Sequence, residues 1–213
     1  NGLIHLETLK NIIGPQTLMV CVMLVNNETG VIQPIKKITE IAHQNGALMF
    51  TDATQAVGKI KVDVIDLDID FMAFSSHKFH GPKGIGGFYL KKQLFKDFNA
   101  QIHGGKHQDG LRSGTLNVPG IIGFGKACEI ASIQIDNYNS VYELKKFLEI
   151  ELLKIEGSFI NGDLENRIYN ISNICFPNID SDIAIKMLNN ICVSNGSACS
   201  SALIEPSHVL QAM

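Results

Sequence analysis

Three short apolar runs, each closed by a cluster of polar residues, restrict the architectures open to this chain. Residues 18–26, rich in Val and Leu, read as a buried strand, residues 47–52 as a second, 70–75 as a third and 87–90 as a fourth. Between the first two, Ile35, Ile38, Ile41 and Ala42 recur at helical spacing. Strands alternating with helices predict an α/β sheet covered by helices. The downstream ends of three strands carry Asn26-Asn27-Glu28, Asp52-Ala53-Thr54-Gln55 and Ser75-Ser76-His77-Lys78. Taken singly, such residues cap helices and close turns. Ligands of open α/β sheets bind at strand carboxyl ends, however, and three such clusters in succession point to a site there.

Beyond Pro119 the pattern changes to long helical segments. Val141, Leu144, Leu148, Leu152 and Ile155 form one apolar stripe, predicting a helix to about residue 156 with that stripe in the core. Strands are expected at 171–176 and 191–194, around a helix near 183–188, and another helix should begin near Pro206. These segments make a smaller second unit, so the domain boundary is placed near 134, dividing 1–134 from 135–213. The chain opens at Asn1 and stops at Met213 inside the last predicted helix, so both domains are expected to be pieces of a longer protein.

With 213 residues, 45% of them hydrophobic, a substantial core can form. A charged fraction of 18% and a net charge of −3 give no basic surface for nucleic acid. The longest apolar stretch, at 18–25, falls well short of the ~20 residues of a spanning helix, and nothing resembles a signal peptide. A soluble, cytoplasmic protein without membrane contact is therefore expected. The five cysteines, at 21, 128, 175, 192 and 199, include no Cys-x-x-Cys pair, which fits neither a disulfide framework nor a zinc ribbon. No metal site is expected. Three Asn-x-Ser/Thr triplets, at Asn27, Asn170 and Asn195, carry no weight without secretion.

The run Gly120-Ile121-Ile122-Gly123-Phe124-Gly125-Lys126-Ala127 is one residue short of a phosphate-binding loop. Ala127 lacks the hydroxyl that would bind Mg²⁺ and no buried strand leads in, so close helix packing is the better account of its glycines. The strand-end clusters offer a different chemistry. Pyridoxal phosphate (PLP) requires a lysine amine for a Schiff base, a carboxylate at its pyridine nitrogen and small donors around its phosphate. Lys78, Asp52, and Ser75 with His77 supply these in turn. Cys199 stands apart from the other cysteines. It lies among small polar residues, in Ser194-Asn195-Gly196-Ser197-Ala198-Cys199-Ser200-Ser201, which suit an exposed nucleophile on a mobile loop. Cys21, Cys175 and Cys192 in apolar runs, and Cys128 on a helix, read as packing residues.

Taken together, Asp52-Ala53-Thr54-Gln55, Ser75 through Gly84, Leu111-Arg112-Ser113-Gly114-Thr115 and Gly196-Ser197-Ala198-Cys199 resemble the cysteine desulfurases of the iron-sulfur-cluster and nitrogen-fixation type. The resemblance runs from about Leu18 to Leu210. It implies an α/β fold, the aminotransferase-like PLP-dependent transferase fold of fold type I, with a large sheet domain and a smaller C-terminal α+β domain. It also implies a homodimer with the active site at the subunit interface. By the same resemblance Lys78 is the Schiff-base lysine, Asp52 the pyridinium partner, Gln55 the hydrogen bond to the ring oxygen and Asn27 a polar contact beside the cofactor. Ser75 and His77 bind the phosphate, Thr115 reaches the phosphate of the neighbouring subunit, and Cys199 is the nucleophile that becomes a persulfide.

The activity so implied converts L-cysteine to L-alanine and passes sulfur from Cys199 to an acceptor such as an iron-sulfur scaffold protein. A mitochondrial matrix protein of this kind would carry a targeting segment upstream. The sequence departs from the family at Ser76, where glycine is usual. The ring-stacking histidine and a phosphate-binding threonine are expected upstream of Asn1, and the substrate-carboxylate arginine downstream of Met213, leaving Arg112 and Arg167 within the chain. A selenocysteine lyase or another fold-type-I PLP enzyme shares the cradle, and a non-catalytic docking or dimerisation module would keep the fold without the chemistry.

Overall fold

The computed structural model describes residues 1–135, 137–196 and 207–213. The chain divides into two compact units, one of His5–Leu24 and Pro34–Asp136, the other of Asn1–Ile4, Val25–Gln33 and Asn137–Met213.

The first unit runs α1 (Leu6–Ile12), β1 (Met19–Met23), α2 (Ile35–Gln44), β2 (Leu48–Asp52), β3 (Phe71–Ser75), β4 (Gly86–Leu90) and α3 (Val118–Gln134). Its sheet has the order β1-β2-β3-β4, with β1, β2 and β3 parallel and β4 antiparallel to β3. Parallel strands need a crossover, and α2 supplies the one between β1 and β2. That helix buries Ile35, Ile38, Thr39, Ile41 and Ala42 while Lys36, Lys37 and Glu40 stay exposed, as its sequence spacing predicts. It stops at Asn45 and Gly46, whose φ of 75° lets the Gly46 and Ala47 amides bond back to the His43 and Ala42 carbonyls.

The first strand is shorter than the 18–26 expected. After the Leu24 amide bonds the Asp52 carbonyl, the chain leaves the ladder and residues 25–33 join the other unit. At the opposite end of the sheet, buried Asp70 accepts from the Met49 amide at 2.8 Å and lies 2.7 Å from His43 Nε2. Its carboxylate thus ties β2 and α2 to the start of β3.

Glycine at 86 and 87 lets β4 close on β3. A Cβ at Gly86 would collide with the Phe74 carbonyl, and one at Gly87 with the Phe74 ring. The Phe74, Phe79 and Phe124 rings lie 5.8–6.3 Å apart and pack with Ala127 and Ala131 of α3. This cluster pins a single 3-10 turn, Ser76–Phe79, between the sheet and α3. The glycine run in α3 serves packing: a Cβ at Gly123 would come within 2.6 Å of the Pro82 ring.

The second unit contains α4 (Asn139–Leu152), β5 (Phe159–Ile160), β6 (Ile174–Cys175), α5 (Ser181–Met187) and α6 (His208–Gln211), with β5 and β6 antiparallel. Its orientation of α4 overturns one expectation. Val141, Leu144, Leu148 and Ile155 of the apolar stripe are 39–68% exposed, and the helix buries Lys145 and Glu149 instead. Periodicity identifies residues that share a face but not the direction that face takes. Here the direction is set by polar anchors: Lys145 donates to the Ile168 carbonyl at 2.8 Å, and Glu149 pairs with Arg167 and Ser172.

Two strand expectations also change. Residues 171–176 contribute only the two-residue β6, and 191–194 pair with no strand among the described residues, leaving Ile191 and Val193 exposed. The helix near 183–188 forms as α5, started by the Asp180 side chain, which accepts from the Asp182 and Ile183 amides. The helix expected after Pro206 is α6, capped by Ser207. Cys21, Cys128 and Cys192 are exposed and Cys175 is half-buried, so they are not core residues of the chain described. Among the described residues no helix is long and apolar enough to cross a membrane, and no cluster of His, Cys, Asp or Glu could hold a metal ion.

Candidate active site

The sheet register brings two of the polar clusters to adjacent strand ends. Asp52 closes β2 and pairs with Ala73 of β3, two residues before Ser75 closes β3. The 3-10 turn then carries His77 and Lys78 outward from that edge, while Ser76 and Phe79 point into the protein. Alternation between exposed and buried positions within this one turn follows from the aromatic anchor beneath Phe79.

Lys78 is exposed, and its amine has no hydrogen-bond or ion-pair partner among the described residues. Half-buried Asp52 uses Oδ1 to accept from the Thr54 amide at 2.8 Å, which orients the carboxylate and leaves Oδ2 for another donor. Ser75 Oγ lies 2.8 Å from His77 Nδ1. Whichever of the two donates across that contact, the pair keeps a donor for an outside acceptor: the Ser75 hydroxyl when Nδ1 is protonated, His77 Nε2 when it is not.

Past Asp52 the backbone makes a helical turn in which the Val57 and Ala56 amides bond the Ala53 carbonyl, and the Ile60 amide bonds that of Ala56. Gly58 ends it with φ 78°, where a Cβ would sit 2.6 Å from Phe79. Gln55 lies within this turn and Lys59 directly after Gly58, and Lys59 Nζ donates to Gln55 Oε1 at 2.6 Å. Burial, and then the charge of Lys78, hold the Lys59 amine below the usual lysine range. Lys59 was not singled out from the sequence, although its i, i+4 spacing from Gln55 was there to read.

Ser76 is fully buried and its hydroxyl has no partner among the described residues. The Ser76 carbonyl accepts from the Gly81 amide at 3.0 Å, and a Cβ at Gly81 would strike Ser76 Oγ, so the hydroxyl fills the space above a glycine. Burying a hydroxyl without a hydrogen bond is unfavourable. Ser76→Ala is accordingly expected to raise stability by about 1 kcal/mol in urea unfolding, the low end of the desolvation cost recovered. A loss of stability on that substitution would mean that the hydroxyl has a partner.

The remaining site residues are placed separately. Thr115 is exposed in the loop before α3, two residues past Ser113, whose buried hydroxyl donates to the Gly105 carbonyl. Asn27 is half-buried in the other unit, in a turn held by Asn26, whose Oδ1 accepts from the Glu28 and Thr29 amides at 2.9 Å each. Cys199 lies outside the described residues. Of the two arginines within the chain, Arg167 is engaged with Glu149 at 2.6 and 2.7 Å, whereas Arg112 is exposed and donates to the Ser113 carbonyl.

Residues 1–213 match the profile of the Aminotransferase class-V family. The chain is 44% identical over 214 residues to a cysteine desulfurase IscS of Methylobacillus flagellatus, with all of this chain and 53% of that protein covered. It therefore spans about half the length of the curated relatives it matches. Among solved structures, a NifS-like protein from Rickettsia africae superposes with TM-score 0.84 at 33% identity, over 92% of this chain and 56% of that one. One described as SspA in complex with cysteine superposes with TM-score 0.81 at 34% identity, over 99% of this chain and 58% of that one. A mixed sheet with a lysine turn at the ends of its parallel strands, a profile match over its whole length and this agreement of fold place the chain in the aminotransferase class-V family.

Proposed function

We propose that the protein containing this chain is a PLP-dependent cysteine desulfurase, converting L-cysteine to L-alanine and carrying the sulfur on Cys199 as a persulfide. The observation that carries the reading is Lys78: an exposed amine in the turn past β3, with no hydrogen-bond or ion-pair partner among the described residues, at adjacent strand ends that also carry the Asp52 carboxylate and the Ser75–His77 donor pair. The residues fit the cofactor. Lys78 would hold it as a Schiff base, Asp52 Oδ2 would keep the ring nitrogen protonated, and Ser75 with His77 would bind its phosphate. Gln55 would donate to the ring oxygen, and Asn27 would lie beside the ring. When bound, the cofactor supplies an electron sink for the bonds at the substrate Cα.

In this reading the Lys78 amine would take and return the proton at the substrate Cα. Thiolate from Cys199 attacks the substrate sulfur. The S–S bond forms as the substrate C–S bond breaks, its electron pair stays with carbon, and protonation there completes alanine. Cysteine and the enzyme thiol thus become alanine and the persulfide, with no outside oxidant or reductant. The relatives named cysteine desulfurase support this reading, and so does the solved neighbour described in complex with cysteine.

We further propose a homodimer in which exposed Thr115 serves the phosphate of the neighbouring subunit, and an iron-sulfur scaffold or related protein as sulfur acceptor. Residues 1–134 belong in this reading to the large PLP-binding domain and 135–213 to the smaller one. The compartment is a reducing one, the bacterial cytoplasm or a mitochondrial matrix, where the Cys199 thiol stays free.

The test is the absorbance of the full-length protein purified with PLP, before and after L-cysteine, beside Lys78→Ala. A Schiff-base band that Lys78→Ala removes, with cysteine-dependent alanine, is the expected result. A full-length protein that shows no band would turn the reading toward a docking or dimerisation module.

A further inference from the structure

The Lys59–Gln55 contact goes beyond the roles above. A lysine ammonium has three donors and no acceptor, so the Gln55 atom 2.6 Å from Lys59 Nζ has to be the carbonyl oxygen. The two ends of a glutamine amide are otherwise interchangeable by a flip. With Oε1 committed to Lys59, the amide nitrogen is the end left to point elsewhere, and it is a donor. The arrangement is local: Gln55 and Lys59 are four residues apart, and the Lys59 amide bonds the carbonyl of fully buried Ala56 between them.

A structural account of Lys59 falls short. The lysine is half-buried, and no carboxylate pairs with it among the described residues. Lys78 is the charged neighbour that acts on it, and the effect is repulsive. Ordering a long side chain and partly desolvating its ammonium are both unfavourable, and one bond to a neutral amide returns little. A cation held beside another cation under these conditions makes sense when its bond sets the orientation of a functional group.

We propose that Lys59 is a positioning residue that fixes the Gln55 amide with its nitrogen outward, so that Gln55 donates to the ring oxygen of PLP bound at Lys78. This rests on the PLP reading of the site. It also explains why glutamine suits position 55: a glutamate there would accept from Lys59 equally well but would offer the ring oxygen a second anion instead of a donor.

The experiment is a double-mutant cycle on the full-length protein, with PLP affinity measured by titrating the apoprotein and the cofactor band recorded for each variant. Lys59→Met is expected to weaken PLP about tenfold, the equivalent of one hydrogen bond to a charged acceptor, and to change the band of the ring oxygen's ionised form. The same substitution made on Gln55→Leu is expected to cost less than about twofold, because the residue through which Lys59 acts is gone. Equal losses in both backgrounds, or no loss in either, would overturn the proposal. Should Lys59→Met fail to fold, Gln55→Glu serves instead: it keeps a partner for Lys59 but no donor, and wild-type PLP affinity and band in that variant would equally overturn the proposal. A wild-type protein with no cofactor band that depends on Lys78 defeats the functional reading itself, whereas an intact band insensitive to Lys59 defeats only this inference.

Discussion

Cys199→Ala in the full-length protein is expected to lower cysteine-dependent alanine formation on the order of 10³-fold or more, the scale on which enzymes lose rate with their nucleophile, while the Lys78 band and the unfolding midpoint stay unchanged. The separation of the two readouts follows from the proposed division of labour. In that proposal Lys78 and Asp52 hold the cofactor, so it stays bound without the thiol. The C–S bond then has no attacking sulfur, and the reaction stops before alanine. Cys128 and Cys175 are poor substitutes. Cys128, exposed as a residue on α3, still has its thiol partly desolvated, which raises its pKa, and Cys175 is half-buried within β6. Free thiols are only a few per cent ionised near neutral pH, so Cys199 also needs a local or substrate-borne proton acceptor. Normal alanine and sulfide release from Cys199→Ala would move the assignment to a selenocysteine lyase or another enzyme built on the same cradle.

The strand ends could be read from the sequence because they depend on local chemistry. An apolar run must leave the sheet where its residues turn polar, and Asp52 and Ser75 fall at the last positions of β2 and β3. The α2 helix was readable for the same reason, since its buried face repeats at 3.6 residues. What was not readable depends on distant partners. The apolar stripe of α4 was correctly placed on one face, but Arg167 and Ile168, about twenty residues onward, draw Glu149 and Lys145 inward and turn that face out. Residues 191–194 are apolar enough for a strand, yet a strand requires a neighbour with free backbone groups, and only pairing reveals one. In the candidate site, Lys78 and Asp52 stood out through their neighbours, whereas Lys59 looks like any surface lysine until its partner atom is known. Ser76 shows the reverse: the sequence marks it as a departure from glycine, and only the packing over Gly81 reveals a stranded hydroxyl.

Arg167→Ala is expected to destabilise the protein by about 3–5 kcal/mol, the cost of breaking a buried ion pair from one side. Arg167 holds Glu149 through two parallel bonds, NH1 to Oε1 at 2.6 Å and NH2 to Oε2 at 2.7 Å, with side chains only 9% and 6% exposed. Ser172 adds a third bond to Oε1 at 2.7 Å. Bidentate geometry and low exposure make this unlike the surface pairs Lys10–Glu7 and Lys126–Glu129, which contribute little. Removing the guanidinium leaves a carboxylate in the interior with one hydroxyl to support it, beside Lys145, whose amine already bonds the Ile168 carbonyl. The pair also joins α4 to the segment in which Val31 bridges Arg167 and the Ile168 amide bonds the Gly30 carbonyl, so its loss loosens the turn that carries Asn27. Urea unfolding of the full-length protein, with and without PLP, reads both effects. Replacing the two together, as Glu149→Leu with Arg167→Met, is expected to cost less than Arg167→Ala alone, because no charge is then left buried. A loss below about 1 kcal/mol for Arg167→Ala would place the pair in the class of exposed salt bridges and return Arg167 to the pool of groups free to bind a substrate carboxylate.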